Sequence, residues 1–238
     1  MSTRRFLLLG TICVAALAGC AHSEHATGYW GKAEPSGFLN DYSKLHPAAD
    51  DTEATMVYFT GDKVKFKSYT KVWLEPVQVW RGEKSDAKDL DQEDAHYLSQ
   101  FLWSKLDEEF RKNYEMAQSP GPDVMHLRVG ITEAGKNVPV VDNLTAAYPA
   151  ALVLSKGKQY IGSTESFVGK STIEVEVTDS QTGELLAAAV DRRGGGKYAW
   201  KSFHRWGDVE EAYTYWAKKL AWRACMMRGE ATCELPKE

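Results

Sequence analysis

The stretch Ser171-Thr-Ile-Glu-Val-Glu-Val-Thr-Asp179, continued by Ser180-Gln-Thr-Gly183 and by Leu185-Leu-Ala-Ala-Ala-Val190, decides the fold. Ile173, Val175 and Val177 alternate with Glu174 and Glu176, the period of two that marks a strand with one apolar face. Residues 180–183 carry turn chemistry. The return run, 185–190, is apolar on both faces, so it is expected inside a sheet rather than at its edge. Its three alanines leave room for a helix to lie close. This hairpin is the nucleus from which the rest of the chain is read.

After the hairpin, Asp208 is expected to cap a final helix, with Glu211 three residues on in capping-box spacing. Val209, Tyr213, Trp216, Leu220 and Ala224 form its apolar stripe, and Lys218, Lys219 and Arg223 lie outside it. Before the hairpin, residues 124–132 alternate Met125, Leu127, Val129 and Ile131 with polar or small residues, a second long strand. Pro120-Gly121-Pro122 separates it from a helix opening at Asp91 and running to about residue 114, in which Leu98, Leu102, Leu106 and Phe110 recur at helical spacing. Residues 71–80 read as a strand that lies at an edge or bends at Pro76, which has no donor for a ladder. Residues 56–59 read as a short strand. Lys63, Lys65 and Lys67 alternate with Val64 and Phe66, as on a solvated edge strand. Residues 137–158 are irregular and apolar, expected as a loop with a short helix covering the core. The expected class is α+β: a mainly antiparallel sheet with two amphipathic helices packed on one face.

The N-terminus carries an address. Arg4 and Arg5 precede about a dozen nearly unbroken apolar residues, the length of a signal-peptide core and too short for a good transmembrane span. Leu17-Ala18-Gly19-Cys20 closes it and resembles a bacterial lipobox, so residues 1–19 are expected to be a lipoprotein signal peptide and Cys20 the lipidated residue. Ala21, in place of Asp, favours the outer membrane. Residues 20–35 are polar and small and read as a tether, and 36–238 as one periplasmic domain. Removing residues 1–19 leaves 27 basic against 33 acidic side chains, a balance that argues against nucleic acid as a partner. Two thiols then remain, Cys225 and Cys233. In an oxidising compartment they are expected to form a bridge tying the tail to the last helix, the plainer alternative being two free, partly buried thiols. Of eight Trp and eleven Tyr, core packing is expected to take most, with one or two free to line a binding surface.

No motif supports catalysis. Gly169-Lys170-Ser171 lacks the upstream glycine of a phosphate loop and precedes a strand rather than a helix. There is no nucleophile elbow and no paired-histidine zinc pattern. His22 and His25 in the tether, and the distant His126 and His204, read as solvated or isolated, so neither metal nor cofactor is expected. Glu174 and Glu176 stand about 7 Å apart on one strand face, a separation a glycosidase can use, although alternating Glu is ordinarily a wetted face. The segment 191–206 is harder to set aside. Arg192, Arg193, Lys197, Lys201 and Arg205 accompany triple glycine and several aromatics, with no carboxylate from 192 to 206. Arginine forks and glycine N–H groups suit a phosphate or carboxylate. These five residues are the candidates for an anion or partner site, set against the plainer reading of a loop whose aromatics tuck into the core.

The run 174–193, with Ser36-Gly-Phe-Leu-Asn-Asp-Tyr-Ser-Lys-Leu45 and Trp73-Leu-Glu-Pro-Val-Gln-Val-Trp80, resembles an uncharacterised family of Gram-negative lipoproteins, domain of unknown function thirty-three thirteen. The resemblance spans about residues 36–228. It implies a periplasmic lipoprotein and supplies no catalytic or binding residues. The expected function is that of a non-catalytic protein held to the outer membrane through Cys20, binding an envelope protein, lipid or peptidoglycan. A lipid or small-ligand carrier is the alternative, with an envelope hydrolase third.

Overall fold

The computed structural model describes residues 24–25, 35–48, 54–136, 169–194, 205–229 and 233. They form a nine-stranded mixed sheet and three helices, an α+β architecture. The strands are β1 (Glu24–His25), β2 (His46–Pro47), β3 (Met56–Phe59), β4 (Lys71–Leu74), β5 (Gln78–Val79), β6 (Glu115–Met116), β7 (Val124–Gly135), β8 (Lys170–Asp179) and β9 (Leu185–Gly194). The helices are α1 (Lys63–Lys67), α2 (Gln92–Phe110) and α3 (Gly207–Arg228). The sheet order is β2-β3-β9-β8-β7-β4-β6, with β1 beside β9 and β5 beside β7.

The hairpin is in place. β8 lies between β7 and β9, both antiparallel to it, and β9 is interior because β3 covers its far edge from Ala187 to Val190. The expectation of a mainly antiparallel sheet needs correction. β4 runs parallel to both β7 and β6, and β5 runs parallel to β7. The cause is connectivity: β4 and β5 are followed by α2 before the chain re-enters the sheet at β6 and then β7, and a crossover through a helix returns the chain parallel.

Pro76 splits the run 71–80 into β4 and β5. The alternating lysines at 63–67 are not a strand. Asp62 accepts a hydrogen bond from the Lys65 N–H at 2.9 Å and opens α1, which buries Phe66 and leaves Val64 81% exposed. One buried residue in five is as compatible with a helical turn as with a strand, so the pattern was ambiguous at this length. α2 is capped by Asp91, whose side chain accepts from the Asp94 N–H at 2.8 Å. α3 differs from its expectation: its cap residue is Trp206, without a side-chain cap bond. Asp208 is instead buried in the first turn and accepts the Gly169 N–H at 3.0 Å. α3 ends at Gly229, whose left-handed backbone (φ 81°) closes the helix. The Cys225–Cys233 disulfide is formed just beyond.

Each sheet face has its own core. Leu127, Val129, Ile131, Ile173, Val175 and Ala187 share one apolar cluster with Leu98, Leu102 and Leu106 of α2 and with Val209, Tyr213 and Trp216 of α3. Burying a side chain of this size contributes roughly 1.5–3 kcal/mol. On the opposite face Ala188 and Val190 meet Phe38 and Leu39, so residues 36–39 dock on the domain. The stretch read as a free tether also contributes: Glu24 and His25 pair with Gly194 and Arg193, the part of the β9 edge that β3 leaves open.

Asp179 ends β8 and organises the turn, accepting from the N–H of Gln181 (3.0 Å) and Thr182 (2.7 Å), the Thr182 hydroxyl (2.9 Å) and the Tyr69 hydroxyl (2.7 Å). Burial raises its pKa, but these donors outweigh burial and hold it at about 2 against an ordinary 3.8. A depressed folded-state pKa contributes stability above the ordinary value that is lost as pH falls through the folded one. Urea midpoints measured between pH 5 and 2 should therefore fall more steeply for the parent protein than for Asp179→Asn, the difference arising below about pH 4.

Candidate functional site

Glu174 and Glu176 do not form a wetted face; that expectation is overturned. Both are buried, Glu174 at 0% and Glu176 at 3% exposure, under the segment that begins at Ser36. Glu174 accepts the Ser36 N–H at 3.0 Å and the Tyr42 hydroxyl. Burial and this carboxylate both raise the Tyr42 pKa, so the phenol stays protonated and donates. Glu176 accepts the Asn40 N–H at 3.1 Å, the Asn40 side-chain amide at 2.8 Å and Arg128 Nη1 at 2.7 Å. The Arg128 guanidinium lies 5.0 Å from the Phe38 ring centre, and the Phe38 ring packs edge-on against Trp80. With their oxygens engaged beneath this cover, the two carboxylates are closed to substrate and water, which removes the glycosidase geometry.

The basic candidates separate. Arg192 and Arg193 are successive residues of β9 and point to opposite faces. Arg192 forks onto Glu133, Nε to Oε2 at 2.7 Å and Nη2 to Oε1 at 2.8 Å. Lys170 (3.0 Å) and the Thr172 hydroxyl (2.7 Å) meet the same carboxylate. Burial raises the Glu133 pKa, but Arg192, Thr172 and Lys170 reverse this and leave it below its ordinary value. Glu133 reaches this face because a bulge between Ile131 and Glu133 shifts the register of β7. Arg193 is fully buried, its guanidinium 3.8 Å from the Tyr215 ring centre. Arg205 donates to Asp94 at 2.6 Å, where Lys136 (2.8 Å) and the Trp206 indole (3.1 Å) converge. The structure thus brings each of these three arginines to an internal partner and does not gather them into one site. Lys197, Lys201, Cys20, His204 and the 137–158 segment lie outside the described residues.

Sequence reasoning missed a different feature. A groove of about 790 Å³ opens between β4, the connection around Pro76, α2 and β6. Trp73, His96, Gln100, Trp103, Asp107 and Gln118 are among its lining residues. Trp103 is 37% exposed. The Trp73 ring stacks on His126, centres 4.2 Å apart, and His126 Nε2 lies 2.8 Å from Glu75. Asp107 pairs through Oδ2 with Arg111 Nε at 2.6 Å, while its Oδ1 is buried with no hydrogen-bond partner among the described residues. The signal was present in α2: Trp103 lies off the Leu98–Leu102–Leu106 stripe, among Ser99, Gln100, Ser104 and Asp107, where an indole has no core to fill.

A model of the family described as protein of unknown function (DUF3313) matches residues 34–220. The chain belongs to this family. For the DUF3313 chain, no curated protein matches. Among solved structures it is similar to a point variant of the PelC dodecamer from Paraburkholderia phytofirmans and to the PelC dodecamer itself, at 10% and 11% identity with TM-scores of 0.37 and 0.34. These alignments cover 69% and 61% of this chain and 89% and 83% of that one. It is also similar to the hypothetical protein CT253 from Chlamydia trachomatis, at 9% identity and a TM-score of 0.37, covering 67% of this chain and 99% of that one. At these values the likeness carries no functional argument for the DUF3313 chain.

Two substitutions test the buried carboxylates. Glu174→Ala leaves the Ser36 N–H and the Tyr42 hydroxyl without their acceptor and should cost about 2–4 kcal/mol in urea unfolding, with faster proteolysis in residues 36–45. Gly130→Ala would place a Cβ 2.6 Å from the Phe38 ring, and that overlap should cost about 1–3 kcal/mol and release the same segment.

Proposed function

We propose that this chain is a lipid-anchored periplasmic protein of the outer membrane that acts by binding rather than by catalysis. The carrying observation is Leu17-Ala18-Gly19-Cys20 at the end of a signal-length apolar run, with Cys20 as the lipidated residue. The Cys225–Cys233 disulfide supports an oxidising compartment. Among the described residues, no helix is long and apolar enough to cross a membrane. Binding is favoured over hydrolysis because Glu174 and Glu176, the carboxylates spaced for acid–base work, serve as acceptors for residues 36–42. We also read α2 and α3 as one layer over a single sheet face, consistent with their shared apolar cluster. An envelope protein, a lipid or peptidoglycan remains the partner class.

The carrier alternative gains little. An apolar cavity lined by Phe59, Phe66, Val72, Leu127, Ala187 and Leu220 among others holds about 90 Å³. A cavity of roughly 150 Å³ holds a ligand no larger than benzene, so an acyl chain does not fit here without rearrangement of α1 or α3.

Metabolic labelling with a palmitate analogue tests the anchor. The parent protein should take up label and sediment with outer membranes, and Cys20→Ser should lose the label and retain residues 1–19. Equal labelling of Cys20→Ser would sink the reading.

A further inference from the structure

The groove beside Trp103 has no role in the fold described above, and its composition is specific enough to name a ligand class. We propose that it binds a neutral saccharide chain. This deepens the reading of the protein as a binding module and does not depend on the lipid anchor.

Four observations carry the proposal. First, the size, about 790 Å³, falls within the range of small-molecule sites, roughly 300–1,000 Å³. Second, Trp103 lines the groove and is 37% exposed on an otherwise polar helix face. A pyranose ring presents a flat patch of C–H groups that packs on an indole face, while its hydroxyls point to the rim. Third, the rim suits hydroxyls. Gln100 and Gln118 each offer an amide donor and acceptor. Fourth, the groove is close to electrically neutral. The Asp107 charge is matched by Arg111 at 2.6 Å, which selects neither a phosphate nor a cation.

An added peptide strand is the natural rival, because the groove lies along the sheet's outer edge. The edge itself argues against it. β6 already covers Lys71 and Val72 of β4, and the Ala117 N–H continues the pairing to the Val72 carbonyl at 2.9 Å. Beyond Leu74 the ladder stops: the Glu75 N–H is donated inward to Leu127 at 3.1 Å, and Pro76 has no N–H. Too little free backbone remains to seat a strand, so recognition must rest on side chains, and those present are an indole and amides.

The full-length protein in detergent micelles, titrated with a panel of neutral tetrasaccharides of N-acetylglucosamine, glucose and galactose, provides the test. Tryptophan fluorescence should show saturable binding of at least one member. Trp103→Ala should weaken that binding at least about tenfold and Gln100→Ala several-fold, with unchanged thermal melting. A Val64→Ala control, on an exposed side chain elsewhere, should bind like the parent. Mass spectrometry of the recovered saccharide separates the two readings. An intact ligand supports both, and a cleaved one supports the site while overturning the non-catalytic reading. No saturable binding to any saccharide at millimolar concentrations, or parental affinity in a folded Trp103→Ala variant, overturns the site. Competition by an unstructured peptide without any saccharide binding overturns it equally.

Discussion

Two carboxylates placed under a cover rather than in water set the constraint on which this structure depends. Ionised groups buried without partners would be prohibitive, so whatever covers Glu174 and Glu176 must bring donors. The segment from Ser36 does so with two backbone N–H groups, an amide and a phenol, and Arg128 adds the opposing charge. The demand propagates along the sheet. Arg128 must stand beside β8, Gly130 must lack a side chain so that Phe38 can lie flat on the strand, and Trp80 must close the ring cluster while its indole holds the Ser36 carbonyl at 3.1 Å. A sheet that would otherwise have one dry face becomes a layer with a core on each side.

The same logic orders the charged residues elsewhere. Glu133 and Asp94 are each nearly buried, and each gathers cations from separate parts of the chain: Arg192 and Lys170 in one case, Arg205 and Lys136 in the other. Arginine is suited to such sites because its fork meets both carboxylate oxygens at once, as Arg192 does on Glu133. Arg192 and Arg205, which look unopposed in sequence, are here the complement of carboxylates about 60 and 110 residues upstream.

Much of the fold was legible because periodicity reports burial directly. The hairpin β8–β9, strand β7 and helix α2 all carry their pattern in the residues themselves. Parallel pairing was not legible, since β4 and β5 give the same alternation in either direction and only the helix that follows them fixes it. The lysines of α1 failed because five residues are too few to separate two periods. The misreading of Glu174 and Glu176 has a clearer lesson. Polar residues alternating on a strand show that a face is polar, not that it is wet, and the donors that made it dry lie 132–138 residues away. The paired cysteines were readable by arithmetic. The groove was partly readable from Trp103, but its other wall comes from β4 and β6, and no local pattern joins those to α2.

The docking of the N-terminal segment also has a mechanical consequence. Glu24 and His25 hold the edge of β9, and about a dozen residues later Ser36 and Asn40 hold β8 in the middle of the sheet. A pull applied at the chain's beginning meets these attachments in series. The two-residue strand can yield first, releasing slack, and the load then passes in shear to a central strand flanked on both sides. Tension is thereby kept from peeling the sheet open at its rim, and the first attachment serves as a sacrificial link for the second.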